Sequence, residues 1–307
     1  MKKNILLLFC ALILFQTFSL SSPKDSLLTT SNLSYRRLGL VVGTEAVLYA
    51  GLMVGLNSLW YKDFPKSSFH FFNDNNEWLQ MDKVGHVTTA YYVGKVGIQV
   101  MDWTGMKHRN AVWLGGSMGS IFLTTIEIAD GYSAEWGFSK GDILANTLGS
   151  LLVIGEELAW NEQRIGIKFS YSPSTYPQYR SSVLGNNFQE KILKDYNAQT
   201  YWLSANVASF LKEETKFPKW LNFALGYGAD GMLGGTVNPL FDESGQPLRE
   251  FKRARQYYLS LDVDLSKLTI RNKFLKMVLG GIGFVKFPSP TLEFKEGTGF
   301  KFRPFYF

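Results

Sequence analysis

Cysteine is nearly missing from this chain of 307 residues: the single Cys10 sits inside an apolar leader and is expected to leave with it. Disulfides, thiolate metal sites and cysteine nucleophiles are thereby excluded from the mature protein. Charge is sparse, at 19% of residues, and the 32 lysines and arginines are scattered rather than gathered on one stripe. That leaves no basic face for nucleic acid, while attraction to an anionic lipid surface stays open. Internal repeats and low-complexity tracts are also lacking.

What is present begins with an export signal. Met1-Lys2-Lys3-Asn4 is followed by an apolar run from Ile5 to Phe15, too short to span a bilayer. Ser19 and Ser21 bracket Leu20 as signal peptidase requires, so residues 1–21 read as a signal peptide and the mature chain as starting near Ser22. Leu8 and Phe9 precede Cys10 where a lipoprotein signal needs small residues, which argues against acylation there.

Residues 34–160 have the texture of a glycine-rich, membrane-like helical bundle. Leu38 to Trp60 carries one charge, Glu45, and is flanked by Arg36-Arg37 and Tyr61-Lys62, long enough to span. Further apolar helices are expected over Met81–Met101, Ala111–Ala129 and Ile143–Ile154, the last after a cap-like Ser139-Lys140-Gly141-Asp142. Small residues four apart recur at Gly39/Gly43, Gly51/Gly55, Gly115/Gly119 and Ala145/Gly149, a spacing that lets helix backbones approach closely. A soluble buried bundle would share this texture, but the length of the first segment favours the membrane.

Residues 161–307 are β-rich. Ile165, Ile167, Phe169 and Tyr171 alternate with small and polar residues, and Asn222–Tyr227 and Gln256–Leu265 continue in that style. Helical interruptions are expected at Ala198–Lys212 and Asn272–Leu279. Counting back by twos from Phe307 puts Phe305, Arg303 and Lys301 on one face, a poor lipid face for a final barrel strand. The fold class is therefore α+β, with a partial sheet rather than a closed barrel after the bundle.

Three pairs could carry chemistry. Asp82 with His86, Glu127 with Asp130, and Asp142 with Asn146 each share a helix face by their spacing. On apolar helices such groups are costly alone, so all six are expected to meet, with Glu127 and Asp142 closest to His86. The meeting permits a cation site, a His86 base oriented by Asp82 with a carboxyl acid opposite, or a buried network that fixes helix packing. His70 and His108 read as surface histidines in loops. Gly115-Gly116-Ser117-Met118-Gly119 matches a nucleophile elbow without the strand it needs, and Gly226-Tyr227-Gly228-Ala229-Asp230-Gly231 matches a dinucleotide fingerprint without the helix.

Asp82-Lys83-Val84-Gly85-His86, Glu127-Ile128-Ala129-Asp130 and Ser139-Lys140-Gly141-Asp142 through Asn146 and Gly149 together resemble the YfiM-like family of periplasmic or outer-envelope lipoproteins. The same motif order is similar to VanZ-like membrane proteins. The resemblance implies a cell-envelope location, outer-membrane or periplasm-facing, with membrane lipid as partner, and it implies no reaction or cofactor. The expected role is structural or assisting envelope assembly, with a membrane-associated hydrolase using the His/carboxylate cluster as the alternative.

Overall fold

The computed structural model describes residues 32–57, 65–212 and 214–307. The leader, Cys10 and the cleavage position lie outside the described residues, as does Trp60. The chain forms two compact units, one of the described residues up to Asp74 with His86–Gln163, the other of Asn75–Gly85 with Arg164–Phe307. The arrangement is α+β: long helices dominate the first unit and an antiparallel sheet the second.

The helical unit contains α1 (Tyr35–Leu56), α2 (Met81–Trp103) from His86 onward, α3 (His108–Asp130) and α4 (Lys140–Trp160). Short strands β1 (Phe71–Phe72) and β2 (Phe138–Ser139) pair in parallel and deliver Ser139 to the start of α4, where its side chain accepts the Asp142 N–H. This cap starts α4 three residues earlier than its apolar run suggests.

Backbones in this unit pack through small residues. A Cβ on Gly115 would lie 2.3 Å from the Gly97 carbonyl carbon, and one on Gly149 would lie 2.2 Å from the Val87 oxygen, so α3 and α4 both press against α2. The glycine pairs of α1 have a different fate: Gly39, Gly43, Gly51 and Gly55 face open space. α1 engages the core chiefly through Val41, beside Val100, Met101 and Ala111. Apolar side chains instead point outward, among them Trp113, Leu114 and Ile121 on α3 and Leu144, Leu148 and Leu151 on α4. By length and composition, Tyr35–Gly55, His108–Asp130 and Lys140–Trp160 can each cross a membrane.

In the second unit, β3 (Ile165–Tyr171), β4 (Gln199–Asn206), β5 (Leu221–Asp230), β6 (Ala254–Val263), β7 (Ser289–Lys295) and β8 (Gly299–Tyr306) form an antiparallel meander in chain order. Among the described residues β3 and β8 do not pair, so the sheet is open. The helix expected over Ala198–Lys212 is a correction: Gln199–Asn206 is strand β4, followed by a short 3-10 turn at Val207–Phe210. Tyr201, Leu203 and Ala205 alternate with Thr200, Trp202, Ser204 and Asn206, the period of two that a strand and not a helix produces. The later interruption is helical, as α5 (Lys273–Gly281).

The buried face of the sheet combines a cluster of Trp202, Ala224 and Tyr258 with ionic and polar groups. Asp262 is fully buried and takes Lys168 Nζ at 2.6 Å, with Lys286 Nζ at 3.9 Å. Lys286 also donates to the Leu261 and Phe287 carbonyls and lies 4.9 Å from the Trp202 ring centroid. Trp202 Nε1 donates to Ser170 Oγ, and Asn222 and Ser204 continue the chain of hydrogen bonds to Asp262.

Candidate functional site

The site is built where α2, α3 and α4 meet inside the helical unit. His86 comes from the early part of α2, Glu127 from the last turn of α3, and Asp142 and Asn146 from the first two turns of α4. Asn146 is fully buried, and its Oδ1 stands 2.9 Å from His86 Nδ1. An amide oxygen only accepts, so this contact places a proton on Nδ1 and leaves Nε2 directed elsewhere. Nε2 lies 3.8 Å from Glu127 Oε1 and 3.8 Å from Asp142 Oδ1.

Ser139 holds the acids in place. Its main-chain N–H donates to Glu127 Oε2 at 3.2 Å, its Oγ accepts the Asp142 N–H at 3.1 Å, and the same hydroxyl donates to Asp74 Oδ1 at 2.6 Å. The sequence marked Ser139 only as a helix cap. Its reach to Glu127 depends on the β1–β2 pairing of residues distant in the chain, which no local pattern shows.

His86, Glu127, Asp142 and Asn146 converge, and the one closest to His86 is Asn146 rather than either acid. Asp130 is one turn beyond Glu127, half-buried at the end of α3. Asp82 is grouped with the second unit, where it accepts from Tyr196 Oη at 2.8 Å and lies 3.4 Å from Lys83 Nζ.

Chemically, the convergent groups suit a divalent cation. Donors bound to one such ion at about 2.0–2.2 Å stand roughly 3–4 Å from one another, the spacing seen around Nε2. A ligating imidazole also needs its other nitrogen held by a hydrogen bond, which Asn146 supplies. The same groups suit a structural network, since Glu127 and Asp142 are almost sealed, at 3% and 5% side-chain exposure.

His108 departs from the expected surface loop. It opens α3 between two acids, with Nδ1 3.0 Å from Asp102 Oδ1 and Nε2 3.6 Å from Glu157 Oε1. Burial pushes the Asp102 carboxyl up, against the pull of the neighbouring imidazole. Ser117 donates to the Trp113 carbonyl within α3, so the glycine–serine motif is helix surface and not an elbow. The other glycine motif runs along β5 into a turn at Gly231, whose φ is +77°, without a following helix.

A family model described as predicted periplasmic lipoprotein (DUF2279) matches residues 70–154. The match spans all six motif residues and stops before the sheet. Its description is of a cell-envelope family of unassigned activity. Searches of curated proteins and of solved structures find no match.

Proposed function

We propose that this chain is an integral protein of an envelope membrane with a structural or assembly-assisting role, and that the His86 cluster ties its helices together. The observation that carries this reading is the inverted polarity of the helical unit. Glu127, Asp142, Asn146 and Ser150 are buried, whereas Leu114, Ile121, Leu144 and Leu148 are exposed. In water such an arrangement exposes a large apolar surface, whereas in lipid that surface is solvated and the polar groups, too costly to face hydrocarbon, turn inward toward one another. Close approach through Gly97, Gly115 and Gly149 is the packing mode that membrane helices use. The near-sealed acids favour a network over a hydrolase, which needs an open cleft at the reacting group.

The test is fractionation. The protein is expected to sediment with membranes and to remain there through high salt and alkaline carbonate, because apolar helices hold it. Recovery in the soluble periplasmic fraction would overturn the reading.

A second reading concerns the same cluster: a divalent cation held by His86, Glu127 and Asp142. It is favoured by the equal 3.8 Å separations around Nε2 with Nδ1 already engaged.

A further inference from the structure

The six-stranded sheet carries its polarity the wrong way round for a soluble protein. Strand register aligns Leu203, Leu225, Leu259, Leu292 and Phe302 in one exposed row across five strands, with Ile167 of β3 buried at its end. Next to it, Ala205, Phe223 and Leu261 are aligned across three strands. Leu225 and Phe302 are 61% and 63% exposed, while the opposite face holds the buried Lys168, Asp262, Ser260 and Glu293 around Trp202, Ala224 and Tyr258. An antiparallel sheet in water does the reverse, with apolar residues on the core and polar ones outside.

The outward face has borders as well as a band. On one side Phe169, Tyr201, Tyr227, Tyr257, Phe294 and Phe300 form an aromatic row, again one residue per strand, in which Tyr201 and Tyr227 pack against the cluster that contains Met81 while Tyr257 and Phe300 are exposed. On the other side lies exposed Trp220, just before β5. No charged residue stands on this face between the aromatic row and Val263. β5 and β6 are ten residues each, the length of a strand that crosses a bilayer, about 9–11 residues.

The last strand fits once its bulge is counted. Thr291 pairs with Arg303 but Ser289 pairs with Tyr306, so the register slips at Pro304. Lys301 and Arg303 therefore face inward opposite Glu293 and Thr291, and exposed Phe305 joins Phe300 and Phe302 outside. The open edges have polar surroundings. The 284–286 segment bonds the outer edge of β3, through Phe169 N–H to the Phe284 carbonyl and Lys286 N–H to the Phe169 carbonyl. β8 borders a polar cleft of about 680 Å³ whose walls include Tyr176, Glu293, Lys301 and Arg303. Backbone at membrane depth is tolerated where it lines a polar space inside the protein rather than lipid.

We infer that the outward face of this sheet is a lipid-contacting surface, seated in the hydrocarbon of a bilayer with the aromatic row and Trp220 at its two borders. The inference rests on the membrane reading above but concerns the other unit. Its rows match the apolar band, about 25 Å tall and flanked by aromatic girdles, of membrane-spanning sheets.

The experiment places nitroxide labels on the full chain in phosphatidylcholine vesicles, in a Cys10→Ser background. Leu225→Cys, Leu259→Cys and Phe302→Cys probe the face on three separate strands, so loss of folding in one leaves two. Ser244→Cys, in an exposed loop, is the water reference, and Leu148→Cys on α4 reports the helices. Collision with oxygen relative to a water-soluble nickel chelate is expected to be several-fold higher at the three sheet positions than at Ser244→Cys. A ratio equal to that reference, or exclusion of both reagents by a second copy or a protein partner, would overturn the inference. Lipid exposure at Leu148→Cys with an aqueous sheet would sink this inference alone; an aqueous Leu148→Cys would sink the membrane reading too.

Discussion

Oδ1 of Asn146 holds Nδ1 of His86 at 2.9 Å and so decides which ring nitrogen faces the two acids. Asn146 is fully buried, and its Nδ2 has no hydrogen-bond partner among the described residues. Asn146→Ala is expected to lower stability in detergent by about 1–3 kcal/mol, since the imidazole loses its orienting acceptor inside the unit. Chemical denaturation followed by tryptophan fluorescence checks it. A variant as stable as the parent would show that the ring is held by something else.

Glu127→Gln separates the structural network from the cation site. Gln keeps the oxygen that accepts the Ser139 N–H but removes the charge beside Nε2. As a network member alone, Glu127 should cost stability when neutralised while the protein carries no bound metal. If the cluster holds a divalent cation, stoichiometric metal should be present in the parent by elemental analysis and lost from Glu127→Gln. Asn146→Ala would then weaken metal binding by roughly 10–100-fold, as loss of an orienting partner does.

Much of this cluster could be read before folding was known, because i to i+4 spacing alone puts Asp142 and Asn146 on one face of a helix. Ser139's hold on Glu127 could not, since it depends on Phe71 and Phe138 finding each other across the chain. The glycine pairs show the same limit. Gly115/Gly119 and Gly39/Gly43 have identical spacing, yet the first pair lies against α2 and the second faces open space. In the sheet, alternation located β3, β5 and β6, but one bulge at Pro304 inverted the assignment of Lys301 and Arg303. A period-two count carries every side chain to the wrong face after a single extra residue.

The glycines provide a paired prediction. Gly149→Val is expected to destabilise by about 1–3 kcal/mol or more, because its Cβ would meet the Val87 oxygen at 2.2 Å and backbone cannot yield as a side chain can. Gly43→Ala, with nothing within 4 Å, should be neutral or stabilise α1 by up to about 1 kcal/mol through helix propensity. Thermal unfolding in detergent compares them. Equal effects would refute the packing assignment.

The sheet interior gives the last prediction. Both Lys168 and Lys286 approach the Asp262 carboxylate, at 2.6 Å and 3.9 Å, and all three side chains are buried. Asp262→Asn keeps the size and the hydrogen bond from Ser204 but leaves two ammonium groups facing each other without their anion. Breaking a buried pair in this way costs about 3–5 kcal/mol, more than the pair itself contributes. Lys168→Met should cost less, because it removes one of two like charges while Lys286 still reaches Asp262. The order of the two variants is the decisive outcome. If Lys168→Met is the more damaging, the stability of the interior comes from the Lys168 bond to the Val263 carbonyl at 2.7 Å and not from charge balance around Asp262.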